Sequence, residues 1–390
     1  MRLKKGVWIW MLCLLLLPAL AVHAQEEQWL QYRHTREASE ITGEYCSQTV
    51  KIIKTKPVDV SLPKFINEKP VFAKWNTPMV ETGFVWIALD RTNASGRYNR
   101  LYVDTDCDGD LSDEKAVEPY RTSSSESYFG SVKLVFKGED GPLTYHADMR
   151  YYSRENYQSF SVYSGCWYEG TISISGKELY CMLVDKNANG AFNDAALGNA
   201  DFISISKLKA QPKYRFAGTY FEWSKGLYNL EIAQDGAFVV FDKAQNVPMG
   251  MVQLPETITA FGVGGPLGQF DRVPKQGRVS LPVGAYRIEH WGISRKDKKG
   301  HTWLAEGRYF GSKGKFKVTA DKPYELTIGE PLISSLEVDR DDRKYSINQS
   351  LVGFWGERIS ITRNNSRAKA PRLHIKNNAE YDRTFNFEYG

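Results

Sequence analysis

The 390-residue chain is poor in the residues on which most enzyme motifs depend: it has six histidines and five cysteines, and no C-x-x-C pair. No two histidines stand four apart beside a glutamate, which excludes the helical zinc-hydrolase signature. A G-x-S-x-G elbow is missing too. The glycine-rich stretch Gly262-Val263-Gly264-Gly265-Pro266-Leu267-Gly268 lacks the Lys-Ser/Thr pair that would reach a phosphate. Apolar residues nowhere keep a 3.6-residue period over three turns, so long amphipathic helices are excluded. After the first two dozen residues no apolar run is long enough to span a bilayer as a helix.

Arg2, Lys4 and Lys5 precede an apolar run from Val7 to Val22 that ends in Val22-His23-Ala24. This order of charge, apolar stretch and small residue predicts a signal peptide over 1–24, and hence a secreted or periplasmic protein without a transmembrane segment after cleavage. Losing the three basic residues lowers the formal charge from +5 to +2. That balance excludes a nucleic-acid partner, and the basic run Arg295-Lys296-Asp297-Lys298-Lys299 reads as a solvated hairpin turn. Cys46, Cys107, Cys166 and Cys181 remain; an oxidising compartment permits two disulfides among them in three pairings, and free buried thiols are equally compatible.

Short runs of alternating, β-branched and aromatic residues fill the rest, separated by Gly, Asn, Asp and Pro turns. They predict an all-β, multi-domain β-sandwich protein, Ig-like or prealbumin-like, with a single short helix at Asn193 to Leu197. Three regions follow: a β domain over 25–210, a second sandwich over 211–331, and a C-terminal β region over 332–390 that is either separate or part of the second.

One motif occurs twice. Asp104-Thr105-Asp106-Cys107-Asp108-Gly109-Asp110-Leu111-Ser112-Asp113 recurs 81 positions later as Asp185-Lys186-Asn187-Ala188-Asn189-Gly190-Ala191-Phe192-Asn193-Asp194. Both read D-x-[DN]-x-[DN]-G-x-[LF]-[SN]-D. Ca²⁺ takes six to eight oxygen ligands, and alternate residues of a tight loop aim their oxygens at one centre. Positions one, three and five are Asp104, Asp106 and Asp108, or Asp185, Asn187 and Asn189. Position seven, Asp110 or Ala191, offers its backbone carbonyl. An apolar residue at position eight, Leu111 or Phe192, pins the loop to the core. Closing carboxylates are expected from Asp113 and Asp194, with Glu114 and Asp201 in reserve. The first loop, having more carboxylates, is expected to bind calcium more tightly.

These segments resemble the loop half of the EF-hand, but position twelve, where an EF-hand places a bidentate Glu, is Lys115 or Ala196. With a hairpin expected before each loop, the pattern is similar to the helix-free D-x-D-x-D-G loops of exported bacterial β-proteins, a resemblance that implies calcium but no activity. Leu281-Pro282-Val283-Gly284-Ala285-Tyr286-Arg287-Ile288 resembles the turn and strand of prealbumin-like and carboxypeptidase-regulatory-like modules. The reading that results is a calcium-binding structural or binding protein, non-enzymatic, whose partner is an extracellular or cell-envelope ligand, polysaccharide among the candidates. A carbohydrate-binding surface protein and a hydrolase or lyase with a site assembled from scattered residues are the competing readings.

Overall fold

Period-two alternation is realised directly as antiparallel sheet. Along Glu126–Gly138 the side chains of Ser127, Phe129, Val132, Leu134 and Phe136 are buried between more exposed neighbours. A pleated strand sends successive residues to opposite faces, so such a segment builds one wall of a core. The computed structural model describes residues 26–388 apart from 94, 95, 140, 156, 208, 210, 211, 343 and 379. The segment 1–24, expected to be a signal peptide, lies outside the described residues.

The protein is all-β, with several antiparallel sheets and almost no helix. Among the described residues the helical elements are one turn at Ser39–Thr42 and one at Gly311–Gly314. The helix expected at Asn193 to Leu197 does not form: the Asp194 amide donates to the Asp201 carboxylate, and a local turn joins Asn199 to Ala196. Side-chain acceptors near the backbone compete with a helix ladder in this way. No helix among the described residues is long and apolar enough to cross a membrane.

Two sheets carry the repeated motif. In one, Val71–Asn76, Phe84–Asp90 and Arg100–Val103 follow as a meander, and the first loop leaves the end of Arg100–Val103. In the other, Cys166–Ile174 and Lys177–Val184 form a hairpin whose two-residue turn, Ser175 and Gly176, takes φ of 51° and 73°. Positive φ at both central residues is the turn that matches strand twist. The second loop leaves Val184, and the chain returns as Phe202–Ser206 along the strand it left. The first loop returns likewise, through a bridge between Val117 and Leu101. Both loops therefore connect antiparallel neighbours, as expected of hairpin-borne sites.

A third sheet of Ser47–Val50, Glu126–Gly138, Gly141–Arg154 and Tyr157–Ser164, with Arg121–Thr122 at its edge, shares a core with both. Their shared core is centred on Trp75, Phe136, Tyr145 and Phe192 and takes in Phe221, Tyr228 and Val239, beyond residue 210. A second core, from Val252 to Ile328, surrounds Trp291 and Tyr286. Strand Gly284–Lys296 turns back as Thr302–Arg308 through the basic run, which is a hairpin turn as expected. Beyond it, Ile333–Asp341 and Lys344–Val352 form a hairpin with little buried surface. Among the described residues the four cysteines, Cys46, Cys107, Cys166 and Cys181, are free thiols.

Candidate metal centre in the first of two matched loops

The two loops share one backbone design. Position four is left-handed in both, with φ of 60° at Cys107 and 50° at Ala188, and position six follows at 87° for Gly109 and 92° for Gly190. Glycine carries that φ without a Cβ penalty. At Gly190 space is also short, since an added Cβ would stand 3.2 Å from Met79 and Phe136.

Their hydrogen bonds match position for position. The amides of positions five and six donate to the carboxylate at position one: Asp108 and Gly109 to Asp104 at 3.0 and 3.1 Å, Asn189 and Gly190 to Asp185 at 3.2 and 2.7 Å. The amide of position seven donates to the side chain of position five, Asp110 to Asp108 at 2.8 Å and Ala191 to Asn189 at 2.9 Å. The reserve acids play one part in both copies, accepting the amide of position two: Glu114 from Thr105, and Asp201 from Lys186 at 3.0 Å. They brace the loop from outside.

What differs is burial and charge. In the first loop Asp104 is buried whereas Asp106 and Asp108 are exposed, and one ligand oxygen from each of the three lies within 4.8 Å of the other two. Oxygens around an ion bound at about 2.4 Å are at most ~4.8 Å apart, so this group can bind a metal ion. Asp110 spends a carboxylate oxygen on the Ser112 amide at 2.6 Å, and the exposed Asp113 stands outside the cluster of three. Burial raises the Asp104 carboxyl to about 6 against the pull of its two amide donors, and the charges of Asp108 and Asp106 raise it further. A cation reverses that last effect.

The second loop is closed by its own amides. Asn187 and Asn189 donate from Nδ2 to Asp194 at 2.8 and 2.6 Å, so Asp194 reaches the positions expected of it through hydrogen bonds. The loop is embedded: Asp185, Ala188, Ala191 and Phe192 are buried, Tyr145 donates its hydroxyl to Asp185 at 2.8 Å, and Trp75 donates Nε1 to the Ala188 carbonyl at 2.7 Å. Burial lifts Asp185 to about 7 although Gly190, Tyr145 and Asn189 donate to it. Asp201 is also raised, first by burial and then by the charge of Asp185. The Lys186 ammonium lies over the rings of Phe202 and Phe216, at 4.8 and 4.7 Å.

Sequence reasoning missed Tyr145 and Trp75, which meet the second loop from strands 40 and 113 residues away. Nothing in the local pattern points to either. No family model matches the chain, and neither a curated protein nor a solved structure matches it.

Proposed function

We propose that the protein is a calcium-binding structural or binding protein of the cell exterior or periplasm, without catalytic activity, its sheets stacked as sandwiches and its first loop locked by Ca²⁺. The observation that carries the reading is the convergence of the Asp104, Asp106 and Asp108 carboxylates on a loop whose backbone is already curved around them. Hard oxygen ligands, three negative charges and room for water suit Ca²⁺ better than the softer metals, which prefer imidazole or thiolate. The leader-like segment 1–24 supports export, and millimolar calcium outside the cell suits a site of modest affinity.

In this reading calcium holds the loop between Arg100–Val103 and the bridge at Val117, and so stiffens one end of the meander. A ligand that binds only the folded state raises the unfolding temperature with its concentration. The test is thermal unfolding in chelator and in a calcium series, with magnesium as the comparison. A rise that saturates with calcium supports the reading, and superimposable curves in chelator and 5–10 mM calcium (about tenfold above the weaker extracellular affinities) would reject it.

A further inference from the structure

A cleft of about 950 Å³ opens at the end of the meander opposite the first loop. Topology fixes that separation: Arg91, Gly96, Arg97 and Tyr98, between the strands Phe84–Asp90 and Arg100–Val103, line the cleft, and Asp104 follows the far end of the four-residue strand Arg100–Val103. Five cations line the cleft, Lys54, Lys56, Lys69, Arg91 and Arg97, against one carboxylate, Glu68. None of the five forms an ion pair with an Asp or Glu among the described residues. Elsewhere some arginines are paired, as Arg150 is with Glu126 and Arg295 with Glu330.

The wall is built to hold this charge. Asp90, fully buried, gives its carboxylate to the amides of Ile66, Asn67 and Arg91 at 2.7, 3.1 and 2.8 Å, which ties the two cation-bearing segments together. Tyr98 donates its hydroxyl to the Lys69 carbonyl at 3.0 Å. Arg91 gives one Nη1 hydrogen to the Gly96 carbonyl at 3.1 Å, lies 5.2 Å from the Tyr98 ring centre, and keeps an Nε without an acceptor among the described residues. Between the cations stand neutral hydrogen-bonding side chains, Ser125, Ser153 and Gln158.

We propose that this cleft binds an anionic oligosaccharide, its cations meeting carboxylate or sulfate groups and its serines and Gln158 meeting hydroxyls. Several unpaired cations around one concave surface give it a positive potential and raise the local concentration of anions. The volume exceeds what a single small anion fills and matches ordinary ligand sites. Base stacking has no platform here: Tyr98 and Tyr151 are only 6% and 1% exposed, and Phe65 turns its ring toward Phe72 and Tyr102. An acidic saccharide needs charge and hydrogen bonds, which are what the cleft offers.

The experiment uses the whole chain and fluorescent hexasaccharides of three kinds: oligogalacturonate, a heparin-derived sulfated hexamer and neutral maltohexaose, with oligo-dT and inorganic sulfate alongside. Binding is followed by polarisation at two salt concentrations, in chelator and in calcium. At least one acidic hexamer is expected to bind, more weakly at high salt, with maltohexaose far weaker; which of the two binds identifies the acid group as carboxylate or sulfate. Lys54→Gln/Lys56→Gln/Arg97→Gln, all at exposed positions, should weaken it about tenfold or more without changing the unfolding temperature. Arg91→Lys keeps the charge but loses the planar fork and should cost a few-fold. The control Lys296→Gln/Lys298→Gln/Lys299→Gln, on the convex hairpin turn, should leave affinity within about twofold.

No binding of either acidic hexamer, tighter binding of oligo-dT, inorganic sulfate competing as well as the hexamer, or equal losses in the turn variant would each overturn the proposal. Binding that survives Asp106→Ala supports a cleft independent of the calcium loop, so either reading can fail without the other.

Discussion

The two loops share their left-handed positions four and six, the amide bonds to positions one and five, and an acid that accepts the amide of position two, yet they differ in burial and in the side chains at positions three and five. In the exposed loop, positions three and five are Asp106 and Asp108, and three carboxylates face one another. In the buried loop the same positions are Asn187 and Asn189, whose amides donate to Asp194. Water screens close charges to roughly 1 kcal/mol, whereas burial multiplies the cost several-fold. The exposed site sets three carboxylates together at the surface; the embedded one, packed under Trp75 and Tyr145, carries amides at the same positions, hydrogen-bonded to an acid of its own loop. One motif thus sits in two environments, and a charge costs more in the buried one.

The largest effect should come from the buried loop and owe nothing to calcium. Asp185→Ala strands the Tyr145 hydroxyl and the Asn189 and Gly190 amides. Leaving two buried donors and one part-buried donor unpaired should cost roughly 3–5 kcal/mol in chelator. Asp104→Ala strands two amides nearer to solvent and should cost about 1–2 kcal/mol under the same conditions. Urea unfolding of both variants decides the point, and equal losses would mean that the loops are not differently embedded.

Titration sharpens the contrast. Burial raises Asp185 to about 7, above its unfolded value. Between about pH 4 and 7 the folded state therefore holds a proton that the unfolded state has released, and stability from this group is lost as pH rises through 7. Other groups move in the same window: burial raises Asp201, which is raised further by the charge of Asp185, and lifts Asp104 and Asp148 to about 6, whereas it lowers His146 to about 4 with the opposite sign, since a neutral buried imidazole loses stability on acidification. The measurement is thus a difference. The unfolding temperature of the parent protein minus that of Asp185→Asn, in chelator, should grow as pH falls from 8 to 5. A gap that shrinks over that range would place Asp185 with ionised, well-solvated carboxylates.

Calcium should separate the loops in the other direction. At 1 mM calcium and an extracellular-type Kd of about 10⁻⁴ M, the bound ion stabilises the fold by about 1.4 kcal/mol. Asp106→Ala should abolish this increment, and Asn187→Ala should keep most of it although it weakens the closure of its own loop. Melting temperatures of each variant in chelator and in calcium give the comparison. An increment lost equally in both variants would move the ion to a shared or second site.

Much of this was legible in the chain. The D-x-[DN]-x-[DN]-G spacing located both loops, and period-two alternation placed them after antiparallel strands. Asp113 and Asp194 were expected in one role, yet only Asp194 meets positions three and five, because only amides can donate to it. The left-handed residue at position four carries Cys107 in one copy and Ala188 in the other, neither of which signals that conformation. The basic cleft left no motif at all: its cations lie scattered from Lys54 to Arg97 and meet only because the meander folds them together. Burial and long-range contact are properties of packing, and a local pattern does not encode them.

The smallest effect tests the comparison most directly, by giving the exposed loop the chemistry of the buried one. In Asp106→Asn/Asp108→Asn, the amide of Asp110 keeps an acceptor at position five, as Ala191 does at Asn189, so the backbone scheme survives. Two of three converging charges disappear, and the new amides can donate to Asp113, as Asn187 and Asn189 do to Asp194. Relief of repulsion between solvent-screened carboxylates is about 1 kcal/mol per close pair at most, part of it already relaxed by side-chain motion. The double variant should therefore be more stable than the parent in chelator, by about 0.5–1 kcal/mol, and should show no calcium increment. In millimolar calcium the order should reverse, because the parent gains its ion and the variant does not. A variant less stable than the parent in chelator would show that charge repulsion is not what the asparagines of the buried loop relieve.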